Sequence, residues 1–267
     1  AADLLPDLLS DLGFEVTELN SHVHEKSIDF TADELESALD RLSRIVKTLE
    51  AAAGFWIGPS GEKIRMVSGS GRVFSSREAL STLTVLVCEA ESEGSLVVPV
   101  AAPQTVDDLA RSKGLTVQRT RSDGHSLVEA ANNRRVRLVA SMDDRFGFPV
   151  FQPHFDGLFS AAKIMELGAR AGLSLDEALA KLPRHTYHHL QLPCPWESKG
   201  GLMRRMSEDA VDQQASFTDG VRIDTERGWV LVLPDQHRSV VHIYVEAIDN
   251  ADADALRDQY HVKVSGW

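Results

Sequence analysis

SLVVPVAAPQTVDDLARSKGLTVQRT, residues 95–120, passes from a β-branched apolar run to an amphipathic run and back to a second strand-like run. SLVVPVA reads as a strand, TVDDLARSKG as a helix closed by Gly114, and LTVQRT as a strand. Strands joined through a helix of this length require a crossover connection, and crossovers build mostly parallel sheets. The alternation continues downstream with the helix SLVEAANN and the strand VRLVAS. DGLFSAAKIMELGARAG is then a helix ended by Gly172, and SLDEALAKLP a capped helix broken by Pro183. An α/β domain is expected over residues 93–184.

Upstream the pattern is of the same kind. LLPDLLSDLG is a helix that stops at Gly13, and FEVTELN alternates as a strand. Thr31 or Asp33 can cap ADELESALDRLSRIVKTLEAA, whose Leu35, Leu39, Leu42, Ile45, Val46 and Leu49 share one face. GFWIG is a strand, and SSREALSTLTVLVCEAE a helix with Ser76 as its cap, so residues 1–92 form a further α/β unit. After Pro183, RHTYHHLQLPCPWE reads as a proline-punctuated linker. GGLMRRMSEDAVDQQ is helical, DGVRIDTERGWVLVLP a hairpin turning at Glu226 to Gly228, SVVHIYVEA a strand, and NADADALRDQYHVKV a capped helix that ends in a strand. Hairpin-paired strands with helices to one side make residues 185–267 a linker followed by an α+β module.

Composition narrows the function classes. A chain of 267 residues with 43% hydrophobic content is ample for one to three cores. The formal net charge of −12 opposes nonspecific binding to nucleic acid or anionic membrane. No apolar run approaches the roughly 18 residues of a membrane span, and the first residues lack a basic, then apolar export signal. Cys88 and Cys194 stand alone, without zinc-ligand spacing, so reduced thiols and a cytoplasmic location are expected.

Motif spacing adds little chemistry. GPSGEK, residues 58–63, has too few residues between its glycines for a phosphate loop, and Ile64 stands where a magnesium-binding hydroxyl is needed; it reads as a turn. His185, His188 and His189 would offer two metal ligands on one helical face, yet lack a carboxylate or cysteine at a telling distance. His22 and His24 read as an extended, solvated pair, Arg134, Arg135 and Arg137 as a solvated lead-in to a strand, and LMRRM as core residues flanking solvated arginines. No nucleophile elbow, zincin or paired-carboxylate motif is present.

The order of elements and several phrases resemble the α-D-phosphohexomutases, the family of phosphoglucomutase and phosphomannomutase. LLPDLLSDLGFEVTELN is similar to the first helix and strand of that family's second domain. VVPVAAPQTVDDLARSKGLTVQRTRSDGHSLVEA and FDGLFSAAKIMELGARAGLSLDEALAKLP are similar to the opening and closing of the third. DGVRIDTERGWVLVLP with VVHIYVEA is similar to the hairpin of the fourth. The resemblance implies two α/β units with mostly parallel mixed sheets, 1–92 and 93–184, and an α+β, TBP-like carboxy-terminal domain within 185–267. It also implies a start truncated before the first strand of 1–92, and no counterpart of the family's phosphoserine, which lies in its first domain.

The resemblance further implies where functional loops should fall. The family's magnesium loop maps onto Gly58, Ser60, Glu62 and Lys63, where one carboxylate is left of three. Its sugar loop maps onto Ser141 and Asp143, with Arg145 beside them. Its phosphate loop maps onto residues 233–239, where Leu233 stands in place of the arginine and donates nothing, Asp235 would repel a phosphate, and His237, Arg238 and nearby His242 leave some positive potential. Phosphoryl transfer rests on positioning and electrostatic stabilisation, so loss at three sites points to a noncatalytic module with no catalytic residue and no expected cofactor. Any hexose phosphate would be bound weakly. The alternative is an active phosphomannomutase or phosphoglucomutase, interconverting hexose 1- and 6-phosphates with magnesium, whose serine-bearing first domain is absent from this chain. CPWESKGGLMRRM is similar to a segment of mutase-like regions fused behind sugar-1-phosphate nucleotidyltransferases, as in mannose-1-phosphate guanylyltransferase-like proteins. The partner so implied is a nucleotidyltransferase domain or subunit; a homo-oligomer is also allowed, and nucleic acid and membrane are not expected.

Overall fold

The computed structural model describes residues 4–19 and 31–266; His22 and His24 lie outside them. Two compact units emerge: unit 1 from residues 1–119 and 123–182, unit 2 from 120–122 and 183–267.

Unit 1 begins with α1 (Leu4–Asp11) and α2 (Ala32–Thr48). α1 closes where Gly13 takes φ +88 and the Phe14 N–H donates to the Leu9 carbonyl, the left-handed ending that glycine permits. FEVTEL, expected as a strand, is irregular over residues 14–19: alternation alone does not make a strand without a ladder partner. Thr31 caps α2 in a reciprocal box with Glu34.

β1 (Ala53–Ile57) and β2 (Ile64–Ser68) form an antiparallel hairpin under α2. α3 (Ser76–Ala90) follows, capped by Ser75 rather than Ser76 because Ser75 sits three residues before Glu78. Next come β3 (Ser95–Pro99), α4 (Gln104–Ser112), β4 (Thr116–Thr120), α5 (Gly124–Ala131), β5 (Val136–Ala140), β6 (Phe146–Gly147), α6 (Gly157–Ala171) and α7 (Leu175–Ala180). The sheet order is β4-β3-β5-β6, with β3 and β5 parallel and β6 antiparallel to β5. Residues of both expected α/β segments share one core: Ile64, Met66, Phe74 and Leu83 pack with Leu96, Leu138, Phe146 and Ile164.

Unit 2 contains β7 (Thr186–Pro193), α8 (Trp196–Asp209), β8 (Ala215–Ser216), β9 (Val221–Thr225), β10 (Gly228–Pro234), β11 (Val240–Ala247) and α9 (Asn250–Ser265). The strands form one antiparallel sheet in the order β7-β11-β10-β9-β8. Val221, Ile223, Val230, Val232, Ile243 and Val245 pack against Leu202 and Met206 of α8 and Leu256 and Tyr260 of α9.

Two expectations change here. The segment read as a linker is mostly an edge strand: Leu190 and Leu192 alternate onto the core while His189 and Gln191 point away, and prolines are tolerated because the edge needs fewer donors. HVKV is helical, because Leu256, Tyr260 and Val264 continue one buried helical face. Among the described residues no helix is long and apolar enough to cross a membrane.

Candidate functional site

In unit 1 two of the three loops singled out in the sequence lie together. The 58–63 turn joins β1 to β2; the Gly58 N–H donates to the Lys63 carbonyl at 2.9 Å, and Gly61 takes φ +78. The loop after β5 folds back at residues 141–145, where the Ser141 N–H donates to the Arg145 carbonyl at 2.9 Å. The two are stitched by the bridge between Lys63 and Arg145 and by the Ile64 N–H donating to the Asp144 carbonyl at 2.9 Å.

The charges there satisfy one another. Asp143 accepts from Arg145 Nε at 2.9 Å and faces Lys63 Nζ at 3.2 Å, while the Ser141 hydroxyl also donates to it. Burial works to raise the Asp143 carboxyl, but the Ser141 and Arg145 hydrogen bonds and the Arg145 and Lys63 charges outweigh it and hold the group below its ordinary value. Asp144 behaves oppositely: its burial outweighs the Arg65 charge, 3.4 Å away, and pushes its carboxyl up. Asp144 holds φ 67, a left-handed conformation that short polar side chains tolerate better than most. Of the remaining predicted positions, Ser60 serves its own turn by accepting from the Glu62 N–H at 3.4 Å, and Glu62 is exposed.

These donors do not fit magnesium. That ion needs near-octahedral oxygen ligands, several of them anionic, whereas Gly58, Ser60, Glu62 and Lys63 offer one carboxylate, one hydroxyl and an ammonium already directed at Asp143. Among the described residues no group of three His, Cys, Asp or Glu is arranged to hold a metal.

The third predicted loop belongs to unit 2, between β10 and β11. Asp235 Oδ1 accepts from the His237 and Arg238 N–H groups, both at 2.8 Å. Asp235 Oδ2 accepts from Arg238 Nε and faces His242 Nε2, both at 2.9 Å. Burial of Asp235 acts to raise its carboxyl, but these donors overwhelm it and hold the group far below the ordinary carboxylate range.

The histidines take separate partners instead of forming a metal pair. His185 Nδ1 lies 3.1 Å from buried Glu246, His188 Nε2 lies 3.0 Å from Asp254, and His189 Nε2 lies 2.9 Å from His242 Nδ1. Burial, with the His242 and Arg238 charges, lowers the His189 imidazole to about 4, so it is neutral at pH 7.

Several contributors carry no sequence motif. Lys199 of α8, buried, donates to the carbonyls of Asp235 at 2.6 Å and Arg238 at 2.5 Å. Asp176 of α7 accepts from the Ser68 and Ser70 hydroxyls at 2.7 Å each and from the Ser70 N–H at 2.9 Å, pinning the turn after β2. The only available signal for Lys199 was a lone lysine among small residues at the start of an amphipathic helix. Arg134 and Arg135 are exposed, as the sequence implies, whereas Arg137 is half-buried, donating to the Glu93 carbonyl at 3.1 Å and facing Glu91 at 3.5 Å.

Comparison with known proteins gives the fold a context. No family model matches the chain. A Methanopyrus kandleri protein named "Probable phosphoglucosamine mutase" is 27% identical over 97% of this chain. A Methanosarcina acetivorans protein of the same name is 30% identical over 93%. The chain spans 58% and 56% of the length of these two relatives. A solved structure of a Burkholderia thailandensis phosphoglucomutase/phosphomannomutase family protein covers 99% of this chain at 20% identity and a TM-score of 0.83, with 58% of that protein matched. Aspergillus fumigatus N-acetylphosphoglucosamine mutase, solved with GlcNAc-6P and magnesium, covers 81% of this chain at 13% identity and a TM-score of 0.54.

Proposed function

We propose, on the support that these relatives and structures give to the α-D-phosphohexomutase superfamily, that this chain is a phosphohexomutase-type module that performs no mutase chemistry itself. It serves as an assembly or regulatory part of a sugar-nucleotide pathway protein, with a nucleotidyltransferase domain or subunit as its partner. The observation that carries the reading is the ion pair between Lys63 and Asp143, at 3.2 Å. The family resemblance aligns these residues with the magnesium and sugar loops, and each faces the opposite charge of the other. A loop that must assemble developing negative charge needs free donors and a cation. Here Lys63 and Asp143, each about half exposed, are directed at one another.

The rival reading, an active mutase completed by a domain outside this chain, draws on the names of the relatives. The two differ in what the native chain binds. A ligand present at about a hundred times its Kd stabilises a fold by about 2.7 kcal/mol. We expect magnesium, glucose, mannose and glucosamine phosphates, alone or together, to leave the melting temperature unchanged in differential scanning calorimetry. A saturable, magnesium-dependent rise that disappears in Glu62→Gln would establish the rival.

A further inference from the structure

The loop between β10 and β11 of unit 2 closes around a carboxylate of its own. Besides the two backbone N–H groups and Arg238 Nε, the second guanidinium nitrogen of Arg238 lies 2.9 Å from Asp235 Oδ2, and His242 Nε2 meets the same oxygen. Two successive backbone amides, an arginine fork and an imidazole are the donors with which proteins hold oxyanions. A carboxylate has about four lone-pair sites, so this one is saturated by the loop.

Three further features hold the donors in place. Lys199 takes the carbonyls of Asp235 and Arg238, which fixes the peptide planes around the loop. Its ammonium also lies 3.5 Å from the centre of the Trp196 ring. Arg238 is steadied by Gln191 Oε1, 3.3 Å from its Nη1. The Asp235 side chain is 12% exposed and that of Arg238 is 58% exposed, so the carboxylate lies inside while one wall of the cradle stays open to solvent.

We propose that Asp235 is a resident anion, filling a cradle of donors that would otherwise take a free oxyanion such as phosphate, and so closing unit 2 to such ligands in the native chain. This rests on the reading above that the chain grips no sugar phosphate. The carboxylate remains charged throughout the physiological pH range, because its donors hold its acidity far below neutrality. An ordinary turn cap would show the same hydrogen bonds but would leave nothing able to bind an anion once removed.

The test is to titrate inorganic phosphate, at constant ionic strength, into the native chain and into Asp235→Ala and Asp235→Ser. The His237 and Arg238 amide resonances are followed by NMR. Serine retains an acceptor for the turn amides and keeps the loop folded if alanine does not. The native amides should stay fixed. The variants should gain saturable phosphate binding at least about tenfold tighter than the native chain, the factor one charge-assisted hydrogen bond supplies. Adding Arg238→Gln to Asp235→Ser should abolish it. Equal binding by the native chain, no binding by a folded variant, or binding that survives the loss of Arg238 would each overturn the proposal. Magnesium-dependent stabilisation of the native chain would instead contradict the noncatalytic reading and leave these arms readable.

Discussion

Arg119→Met should lower the stability of unit 1 by about 3 kcal/mol, the lower end of what removing one partner from a buried charged network costs. The guanidinium donates to the carbonyls of Val100 at 3.1 Å, Ala102 at 2.8 Å and Pro103 at 3.1 Å, and to Asp107 at 2.5 Å. Arg119 thereby ties the end of β4, an edge strand of the four-stranded sheet, to the turn between β3 and α4. Methionine keeps the apolar stem but supplies none of these donors. The side chains of Arg119 and Asp107 are 18% and 20% exposed, so water recovers part of the loss, which is why the lower end applies. Urea unfolding should show a reduced midpoint at unchanged slope. Arg119→Lys should fall between the two, because an ammonium meets Asp107 but lacks the planar fork for several carbonyls. A loss below about 1 kcal/mol, the scale of an exposed ion pair, would mean that Arg119 is a surface contact.

Gly157→Ala is the second large effect. Gly157 opens α6, and its N–H donates to the Gly61 carbonyl at 2.7 Å. A Cβ there would stand 2.8 Å from the Gly61 oxygen and 3.0 Å from the Lys63 oxygen, both backbone atoms that cannot swing aside. The expected cost is about 1–3 kcal/mol, as for other insertions into filled space. The 58–63 turn should move with it, so the amides of Gly61 and Lys63 should shift while those of unit 2 do not. Gly200→Ala is the control: it lies in α8 with no atom within 4 Å of the added methyl, and should be neutral or stabilising by up to about 1 kcal/mol. Equal melting temperatures for the two variants would remove Gly157 as the anchor of the turn.

Most helices and the hairpin of β9 and β10 are legible in the sequence because each is written locally, although the cap of α3 falls one residue earlier, at Ser75, and α9 runs on through HVKV. Thr31 with Glu34 and Ser174 with Glu177 spell capping boxes, and Gly172 ends α6 at φ 63. Readings that depended on a distant partner did worse. FEVTEL alternates like a strand but finds no ladder in residues 14–19, and TYHHLQLP looked like a linker until β11 provided one. The same limit applies to the loops. Their positions followed from a resemblance, and their chemistry from residue types. That Lys63 would meet Asp143 and that Lys199 would hold the loop's carbonyls depends on contacts between residues far apart in sequence, whereas Asp235 gathers His237, Arg238 and His242 within its own loop and the strand that follows.

Charge paired within the chain, as in Lys63 and Asp143, is not free to stabilise a transferring phosphoryl group. The most direct measurement is therefore a coupled assay of the chain, supplied with the serine-bearing first domain of a phosphohexomutase, with glucose, mannose and glucosamine 1-phosphates in the presence of magnesium. No turnover above the enzyme-free rate is expected, unchanged by Glu62→Gln or Arg238→Gln. Magnesium-dependent interconversion of hexose 1- and 6-phosphates that falls with either substitution would contradict it.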